Sequence, residues 1–505
     1  MQKKRFVTTT IPYVNAQPHI GHALEFVQAD AYVRYFRLLG EDVRFLAGSD
    51  ENSLKNVQAA EKAGEDVGTF VARHAKAFSD LQAVLNVSFD DFIRTTEERH
   101  TKGAQKFWQA CKKEDIYKKP YSGLYCVGCE MFYSEDELVD GKCPDHKVEP
   151  QLVEEENYFF RLSAYQDQIK ELIVSGTLPI TPERRKNEML AFIDRGLEDF
   201  SISRSHERAH GWGVPVPGDE EQIMYVWFDA LSNYITALGY AEDGALYKDY
   251  WLQVGQDRAV VHMLGKGVAR FHVIYWIGML LSAGIPLPTE EFIHGYITSE
   301  GEKMSKTLGN VVAPKDAVET YGQDPTRFFF LGALSAYGDS DFSDERFKEY
   351  YTAHLVNGVG NLTSRIVTML EKYADGKVPA VAEDTLGITG MWKTLDAHMR
   401  VFAFDKYVET VLSFAAKCDT LISEQKPWEK AKNGEDISAL LYTLIESLRH
   451  IAIALLPIIP VAAERILAQL GIDAAALDSL EKESAWGGMK EGDTVAKSDI
   501  LFARL

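Results

Sequence analysis

The stretch that decides the fold class is FVTTT at residues 6–10, followed by PHIGH at residues 18–22. Residues 6–10 form a short β-prone run. From Gly21 to Leu39 apolar side chains recur at steps of three and four, which predicts a helix that Gly40 terminates. A second strand is predicted over 43–47 and a second helix over 53–63. This alternation of strand and helix predicts a parallel sheet covered by helices on its faces.

Further along the chain the alternation stops and then resumes. From about residue 118 to residue 220 the sequence is rich in turns, cysteines and charges. Strands are predicted over 223–228, 259–264 and 291–297, with a helix over 270–283. Neither half has enough strands alone, so we expect one doubly wound sheet that is interrupted by an insertion.

The last third of the chain shows little β pattern. Asp324 and Pro325 predict a helix start, as an N-cap followed by a proline at the first helical position. Long amphipathic helices are predicted over 358–373, 391–424 and 437–470. The sequence therefore predicts an α-helical bundle after the α/β part.

Composition narrows the class of protein. The chain has 505 residues and a formal net charge of −21, so we expect more than one domain and, from charge alone, no nucleic-acid partner. Five cysteines give no disulfide framework. The most apolar run, 451–463, is broken by two prolines, and no secretory signal precedes residue 10. These features predict a cytosolic protein with no membrane partner.

Two short motifs are suited to binding phosphate. PHIGH leads into a helix, where free backbone N–H groups attract an anion and His19 and His22 add donors; the alternative is two surface histidines at a helix cap. EKMSKT at residues 302–307 brings Lys303 and Lys306 into a loop bracketed by glycines, although a solvated loop would look the same. Ligands of open α/β sheets bind at the carboxyl ends of strands, where both motifs are expected, and this position favours a nucleotide site.

A third motif has the spacing of metal ligands. Cys126 and Cys129 are followed, after thirteen residues, by Cys143 and His146. Three thiolates and one imidazole complete a tetrahedral shell, so the pattern predicts structural Zn²⁺ rather than buried or redox thiols. Cys111 and Cys418 lie in helical segments and are predicted to fill the core.

A carboxylate near the same strand ends would suit a ligand that carries a positively charged group. Asp50 ends the second predicted strand and faces the same crevice, although it could instead cap the next helix. Tyr13, Trp227, Tyr234 and His272 lie near strand ends and could form an apolar pocket, or they could be ordinary core residues.

Together, PHIGH and KMSKT resemble the HIGH and KMSKS motifs of class I aminoacyl-tRNA synthetases, with Thr307 in place of the last serine. The resemblance implies a Rossmann-like catalytic sheet with a zinc-binding insertion, followed by a helical anticodon-binding domain. It also implies Mg²⁺ with the ATP. The domains expected are a first catalytic half at 1–117, the insertion at 118–221, a second catalytic half at 222–297, the KMSKS loop and stem-contact region at 298–355, and the anticodon-binding domain at 356–505.

Four further segments resemble the methionyl-tRNA synthetase family: TIPYVN at 10–15, YVWFDA at 225–230, the stretch from Gly265 to His272, and HGY at 294–296. Gly267 stands where that family has aspartate. The resemblance implies that methionine contacts Ile11, Tyr13, Asp50, Trp227, Ala230, Tyr234, Val268 and His272. It implies that ATP contacts His19, Gly21, His22, Gly265, His294, Gly295, Tyr296, Lys303, Met304, Ser305 and Lys306. His19, His22, Lys303 and Lys306 would be catalytic.

The helical third carries the expected RNA contacts. NLTSR at 361–365 and QKPW at 425–428 resemble the family's anticodon-reading segments, which implies roles for Asn361, Arg365 and Trp428. A tryptophan face stacks on an unpaired base, and the charged neighbours of Trp428 favour exposure over burial in a core. Residues 356–505 hold 16 Lys and Arg against 21 Asp and Glu, so most of the acidity lies elsewhere. The implied partners are tRNA(Met), ATP and L-methionine, with no DNA, and the resemblance favours a monomer.

Two alternatives remain open at this point. A class I synthetase for cysteine or a branched-chain amino acid would share the two motifs. For cysteine, however, zinc is expected in the active site with an open coordination position. A zinc-ribbon RNA-binding protein without catalysis would leave the pairing of the two motifs unexplained.

Overall fold

The computed structural model describes residues 2–128, 131–133, 135–144, 147–252, 258–299, 302–303 and 312–504. For residues 131, 299, 302 and 303 it describes the backbone. The chain divides into two compact units. The first comprises residues 1–18, 43–82 and 89–293, and the second comprises residues 19–42, 83–88 and 294–505.

The strands, in chain order, are β1 Lys4–Thr9, β2 Asp42–Ser49, β3 Asp91–Arg94, β4 Ile116–Cys126, β5 Met131–Tyr133, β6 Gln151–Phe160, β7 Ile180–Thr181, β8 Phe200–Ser201, β9 Ser203–Ser205, β10 Pro215–Val216, β11 Asp219–Met224, β12 Arg258–Gly265, β13 Glu290–His294, β14 Ile297–Ser299, β15 Glu302–Lys303 and β16 Ser340–Phe342.

The α-helices are α1 Ile20–Leu38, α2 Leu54–Ala63, α3 Val67–Ser79, α4 Leu81–Leu85, α5 Glu98–Ala110, α6 Gln166–Val174, α7 Glu183–Ile193, α8 Val226–Leu231, α9 Asn233–Thr236, α10 Ala245–Tyr247, α11 Ile277–Ala283, α12 Pro314–Tyr321, α13 Gln323–Phe328, α14 Asp344–Tyr350, α15 Asn361–Tyr373, α16 Met391–Arg400, α17 Phe404–Gln425, α18 Pro427–Lys432, α19 Ser438–Leu455, α20 Pro460–Gln469 and α21 Leu480–Glu483. π-Helical segments occur at Lys248–Leu252, Phe271–Trp276, Phe329–Ala333 and Tyr351–Gly360.

The first unit is built on a six-stranded sheet in the order β3-β2-β1-β12-β13-β7. Strands β1 and β12 pair in parallel, from Lys4 opposite Arg258 to Thr9 opposite Met263. The predicted α/β class with one interrupted parallel sheet is confirmed, because β1, β2 and β3 precede the insertion whereas β12 and β13 follow it. The insertion also contributes to this sheet, since β7 pairs in parallel with β13.

Local sequence explains the helix boundaries near the first motif. The Ser53 side chain accepts a hydrogen bond from the Asn56 backbone N–H, which caps α2, and Gly64 ends the same helix in the left-handed conformation. Helix α1 begins directly after His19, as the PHIGH motif predicts. The boundaries predicted for these two helices are therefore correct to within one residue.

Five predictions of secondary structure are wrong in part. Residues 223–228 do not form one strand: β11 ends at Met224 in a separate antiparallel sheet, and α8 follows. Residues 291–297 span the end of β13 and the start of β14, which belongs to another sheet. Helix α13 begins at Gln323, so Asp324 lies inside it and Gly322 is the N-cap.

The helices predicted over 391–424 and 437–470 are each divided in two. The first is divided between α16 and α17 at residues 401–403, where Phe402 has a φ of 57°. The second is divided between α19 and α20 at residues 456–459, where Pro457 interrupts helical hydrogen bonding and Pro460 begins α20.

The helical part of the second unit packs around α19. Among the described residues, α19 is the one helix long and apolar enough to span a membrane by length and composition, and 83% of its apolar window is buried inside the structure. That burial is typical of the core helix of a bundle.

Candidate active site

The residues expected to bind methionine all lie in the first unit. Ile11 and Tyr13 follow β1, Asp50 follows β2, and Val268 and His272 follow β12. Trp227, Ala230 and Tyr234 lie on α8 and α9. Because β1, β2 and β12 are neighbours in one sheet, their carboxyl ends open on the same edge.

Aromatic side chains form the walls at this edge. The Trp227 ring stacks on Phe271, with centroids 3.8 Å apart and planes inclined by 5°. The rings of Tyr13 and His272 each contact Trp227 edge to face, with centroid distances of 6.2 Å for Tyr13 and 6.5 Å for His272. Tyr13, Trp227 and His272 therefore line one apolar surface that could hold a flexible side chain.

A hydrogen-bonded pair adds polar atoms to this surface. The Tyr234 hydroxyl lies 2.6 Å from Nε2 of His272, and Nδ1 of His272 lies 3.0 Å from the Val268 carbonyl oxygen. A carbonyl oxygen only accepts, so Nδ1 carries the proton of the neutral ring. Nε2 then accepts, and the Tyr234 hydroxyl donates to it.

Asp50 lies beside this surface and is buried. It forms a parallel bridge with Tyr13, and its backbone N–H donates to the Pro12 carbonyl at 2.9 Å. Ser53 is the N-cap of α2, so the alternative role of Asp50 as the helix cap is wrong. A buried carboxylate at this edge is suited to bind an ammonium group.

The loop that carries Asp50 is fixed by residues that sequence reasoning missed. The Glu51 carboxylate accepts from Arg94 Nε at 2.7 Å and Nη2 at 3.0 Å, and the Glu51 carbonyl accepts from the Trp212 indole N–H at 2.8 Å. These contacts join residues more than 40 positions apart. The one signal for this loop in the sequence is the pair of adjacent carboxyl groups, Asp50 and Glu51.

The PHIGH histidines lie in the second unit, where they cap α1 reciprocally. His19 Nδ1 accepts from the Gly21 backbone N–H at 3.0 Å, and His22 Nδ1 accepts from the His19 backbone N–H at 3.2 Å. The two rings stack with centroids 3.8 Å apart. A Cβ at position 21 would lie 2.8 Å from His19 Cε1, so a larger residue here would displace the capping ring of His19.

This arrangement determines how the two histidines can act. Burial lowers the pKa of His19 to about 4, and it lowers the pKa of His22 well below its usual range. Both rings are therefore neutral at pH 7, and because each Nδ1 accepts, the proton of each ring is on Nε2. Two Nε2–H groups at a helix N-terminus form a neutral donor site for an anion.

HGY and the lysine loop also lie in the second unit. His294 Nε2 lies 2.8 Å from Oε2 of Glu25, a residue of α1 that sequence reasoning missed. Gly295 is required because a Cβ there would lie 2.2 Å from the Gly338 carbonyl oxygen, and the Tyr296 backbone N–H donates to Asp339. The Ile20 backbone N–H donates to the Val312 carbonyl, which joins the start of α1 to the segment after the lysine loop.

The lysine loop itself is described only at its first strand. The backbone of Lys303 pairs with Thr298 in β14. Met304, Ser305 and Lys306 lie outside the described residues. Gly265 ends β12 in the first unit, and Gly267 is exposed in the turn that follows.

The predicted zinc ligands are described in part. Cys126 ends β4, and Cys143 lies in a tight turn in which its backbone N–H donates to Val148 and its carbonyl accepts from Lys147. Both cysteines are buried, and neither forms a disulfide. Cys129 and His146 lie outside the described residues. The two described thiols, buried beside knuckle-like turns, fit a structural metal site.

The predicted anticodon residues lie on two helical elements. Asn361 is exposed at the start of α15, and Arg365, one turn later, pairs with Asp419 at 2.5 Å. Trp428 is 45% exposed on α18, as its charged neighbours predict. It follows Lys426, which adopts a φ of 42° and so turns the chain sharply between α17 and α18.

Comparison with known proteins gives one consistent result. The family model "tRNA synthetases class I (M)" matches residues 5–151 and 146–367. The chain is 40% identical to the methionine–tRNA ligase of Caldanaerobacter subterraneus subsp. tengcongensis, over 100% of this chain and 79% of the relative. It is 40% identical to that of Brucella suis, over 94% and 93% of the two chains.

Solved structures agree. The structure of Mycobacterium tuberculosis methionyl-tRNA synthetase in complex with methionyl-adenylate matches with a TM-score of 0.93 and 36% identity, over 100% of both chains. The resemblance stated from the motifs is confirmed. The chain therefore belongs to the methionine–tRNA ligase family of class I aminoacyl-tRNA synthetases.

Proposed function

We propose that the protein activates L-methionine with ATP and transfers the methionyl group to the 3′ end of tRNA(Met). The observation that carries this proposal is the arrangement at the carboxyl ends of β1, β2 and β12. There the buried carboxylate of Asp50 lies beside an aromatic surface that includes the hydrogen-bonded Tyr234–His272 pair. The carboxylate suits the ammonium of methionine, and the surface suits its thioether chain.

In the first step, a carboxylate oxygen of methionine attacks the α-phosphorus of ATP. A new C–O–P linkage forms, and the bond to the β-phosphate bridging oxygen breaks, which releases pyrophosphate. His19 and His22 would donate from Nε2 to the phosphate oxygens, and Lys303 and Lys306 would neutralise the charge that develops there. Mg²⁺ would accompany the triphosphate.

In the second step, the 2′-hydroxyl of the terminal ribose of tRNA attacks the carbonyl carbon of methionyl-adenylate. An ester bond forms, the bond from the acyl carbon to the phosphate oxygen breaks, AMP leaves, and the hydroxyl proton is released to water. Asn361, Arg365 and Trp428 would select the tRNA by reading its anticodon. A Zn²⁺ ion held by Cys126, Cys129, Cys143 and His146 would stabilise the fold of the insertion. We further propose a cytosolic monomer.

Pyrophosphate exchange with each amino acid in turn tests the proposal. Exchange with methionine alone supports it, exchange with cysteine or a branched-chain amino acid favours another class I synthetase, and no exchange favours a non-catalytic RNA-binding protein. The variants Lys303→Ala and Lys306→Ala should slow exchange, whereas Lys315→Ala, an exposed lysine of α12, should not. Unchanged exchange in both loop variants would remove the lysine loop from the site.

Gly267 raises a separate question because the family has aspartate at this position. The same exchange assay on Gly267→Asp measures whether the missing carboxylate limits the use of ATP or of methionine. A lower KM for one substrate alone would identify the substrate that this position faces.

A further inference from the structure

A buried carboxylate lies behind the methionine site without belonging to its walls. Asp229 is fully buried on α8. Its Oδ1 lies 2.5 Å from Nε2 of His100, a fully buried histidine of α5, and its Oδ2 accepts from Nδ2 of Asn52 at 2.8 Å. Both oxygens of the Asp229 carboxylate are thus engaged by donors from two other elements.

His100 is itself oriented by a second contact. Its Nδ1 lies 2.9 Å from the Thr236 hydroxyl on α9. The carboxylate fixes the proton of His100 on Nε2, since an ionised carboxylate only accepts. Thr236 and Asp229 therefore hold the imidazole from both sides, and the imidazole holds the Asp229 carboxylate in turn.

Asn52 connects this pair to the methionine site. Besides donating to Asp229, its Nδ2 donates to the Thr95 carbonyl at 3.1 Å. Its backbone N–H donates to Oδ1 of Asp50 at 3.3 Å. The side chain of Asn52 is therefore anchored on Asp229 while its backbone contacts the carboxylate that would bind the substrate ammonium.

We propose that Asp229 and His100 are positioning residues that act through Asn52 to orient the Asp50 carboxylate toward the ammonium of methionine. The inference rests on the role proposed for Asp50. Hydrogen bonds to a charged acceptor are stronger than those between neutral groups, so the contact from Asn52 can hold the Asp50 carboxylate in place. A carboxylate that is already oriented does not have to be ordered when methionine binds, and this raises the affinity.

The test uses equilibrium binding of methionine to the full chain. Asp229→Asn keeps the shape of the side chain, but its NH2 group would face either the Asn52 amide N–H or the His100 Nε2–H. In both cases two hydrogen-bond donors meet and one hydrogen bond is lost. We expect the methionine Kd to rise about tenfold, the size of one charged hydrogen bond, with the KM for ATP unchanged. Asn52→Ala, at a half-buried position less prone to misfolding, should have a similar effect.

A double-mutant cycle separates positioning from a structural role. In an Asp50→Asn background, Asp229→Asn should change the methionine Kd less than about twofold, because contacting pairs are non-additive whereas independent sites add. An equal loss in both backgrounds would overturn the inference, as would normal binding by Asn52→Ala. If the single variant Asp50→Asn binds methionine with the Kd of the parent, the role proposed for Asp50 is itself wrong. That outcome is distinguished from a failure of the positioning inference because it is measured without any change at Asp229.

Asp115→Asn is the matched control. Asp115 is also buried in the first unit and accepts hydrogen bonds from the Tyr165 and Ser282 hydroxyls. Its loss should lower thermal stability without a specific change in methionine Kd.

Discussion

The Tyr234 hydroxyl donates its proton to Nε2 of His272, at 2.6 Å, and the Val268 carbonyl fixes the direction of that donation. Both side chains are buried. We expect this pair to help distinguish a thioether from a hydrocarbon chain of the same length, because polarisable sulfur interacts with the dipole of the pair more strongly than a methylene does.

Tyr234→Phe should therefore raise the KM for methionine by about tenfold, because Nε2 of His272 loses its donor in a buried site. Discrimination against norleucine, in which a methylene replaces the sulfur, should fall at the same time. Pyrophosphate exchange with both amino acids measures this. Tyr240→Phe, a buried tyrosine that packs on Phe107 and Tyr247, is the control. An unchanged ratio of the two KM values would contradict the assignment.

The pH dependence of the first step follows from the PHIGH histidines. Burial lowers the pKa of His19 to about 4, so neither its charge nor that of His22 should change between about pH 6 and pH 8. The rate of pyrophosphate exchange should therefore show no pH dependence from these two residues over that range. His19→Asn should lower the rate without changing the shape of the profile. A histidine titration near pH 6.5 that disappears in His19→Asn would contradict the neutral-donor role.

The same shift affects stability. The pKa of His19 is about 4 in the folded protein, whereas an unperturbed histidine has a pKa of about 6.5, so between these values the unfolded chain binds more protons. The contribution to stability is complete above pH 6.5 and is lost as the pH falls toward 4. At about 1.4 kcal/mol for each pH unit between the two pKa values, this contribution is at most about 3 kcal/mol, and solvent screening at the partly exposed ring lowers it further. As the pH falls, thermal melts should show a smaller loss of stability in His19→Asn than in the parent, whereas His206→Asn, at an exposed position, should match the parent.

Zinc content tests the insertion. Cys126→Ser should lose the metal and destabilise the segment from β4 to β6, because a structural site needs all four ligands. Cys418→Ser should keep it: Cys418 lies in the helical bundle, and burial raises the pKa of its thiol to about 12, which disfavours the thiolate that binds metal. Elemental analysis of the purified variants gives the stoichiometry. Equal zinc in both would refute the ligand assignment.

Trp428→Ala should separate tRNA recognition from amino-acid activation. The exposed indole offers a stacking face worth about 1–3 kcal/mol per base, so the KM for tRNA should rise roughly ten- to a hundredfold. Exchange in the absence of tRNA should not change. Trp392→Phe, a buried tryptophan that donates to His450, controls for loss of an indole in the bundle. A tRNA KM equal to that of the parent would exclude Trp428 from the interface.

Local signals in the sequence were sufficient for part of the fold. Ser53 and Gly64 bound α2 because a cap side chain and a left-handed glycine act within a few residues. The apolar run at 223–228 was misassigned because a short apolar segment fits a buried strand and a buried helix equally. The break at 401–403 contains neither glycine nor proline, so no local signal predicts the positive φ of Phe402, whose buried ring stacks on Tyr32.

The same limit applies to the site. Asp50 and the aromatic walls could be predicted because strand ends share one edge of the sheet. Glu25, Asn52 and Asp229 could not, because their partners are distant in sequence: His294 is 269 residues from Glu25, and Asp229 is 177 residues from Asn52. Only the fold brings these groups within hydrogen-bonding distance.

Strand β7 has a consequence for engineering this chain. It contributes only two residues, yet it pairs with β13 and lies at the end of the sheet. A shortened enzyme that lacks the whole insertion would leave β13 as an open edge, and unpaired strand edges promote association between copies. A minimal catalytic unit should therefore retain residues 180–181 or carry a charged substitution on β13, and otherwise its expression should yield aggregates.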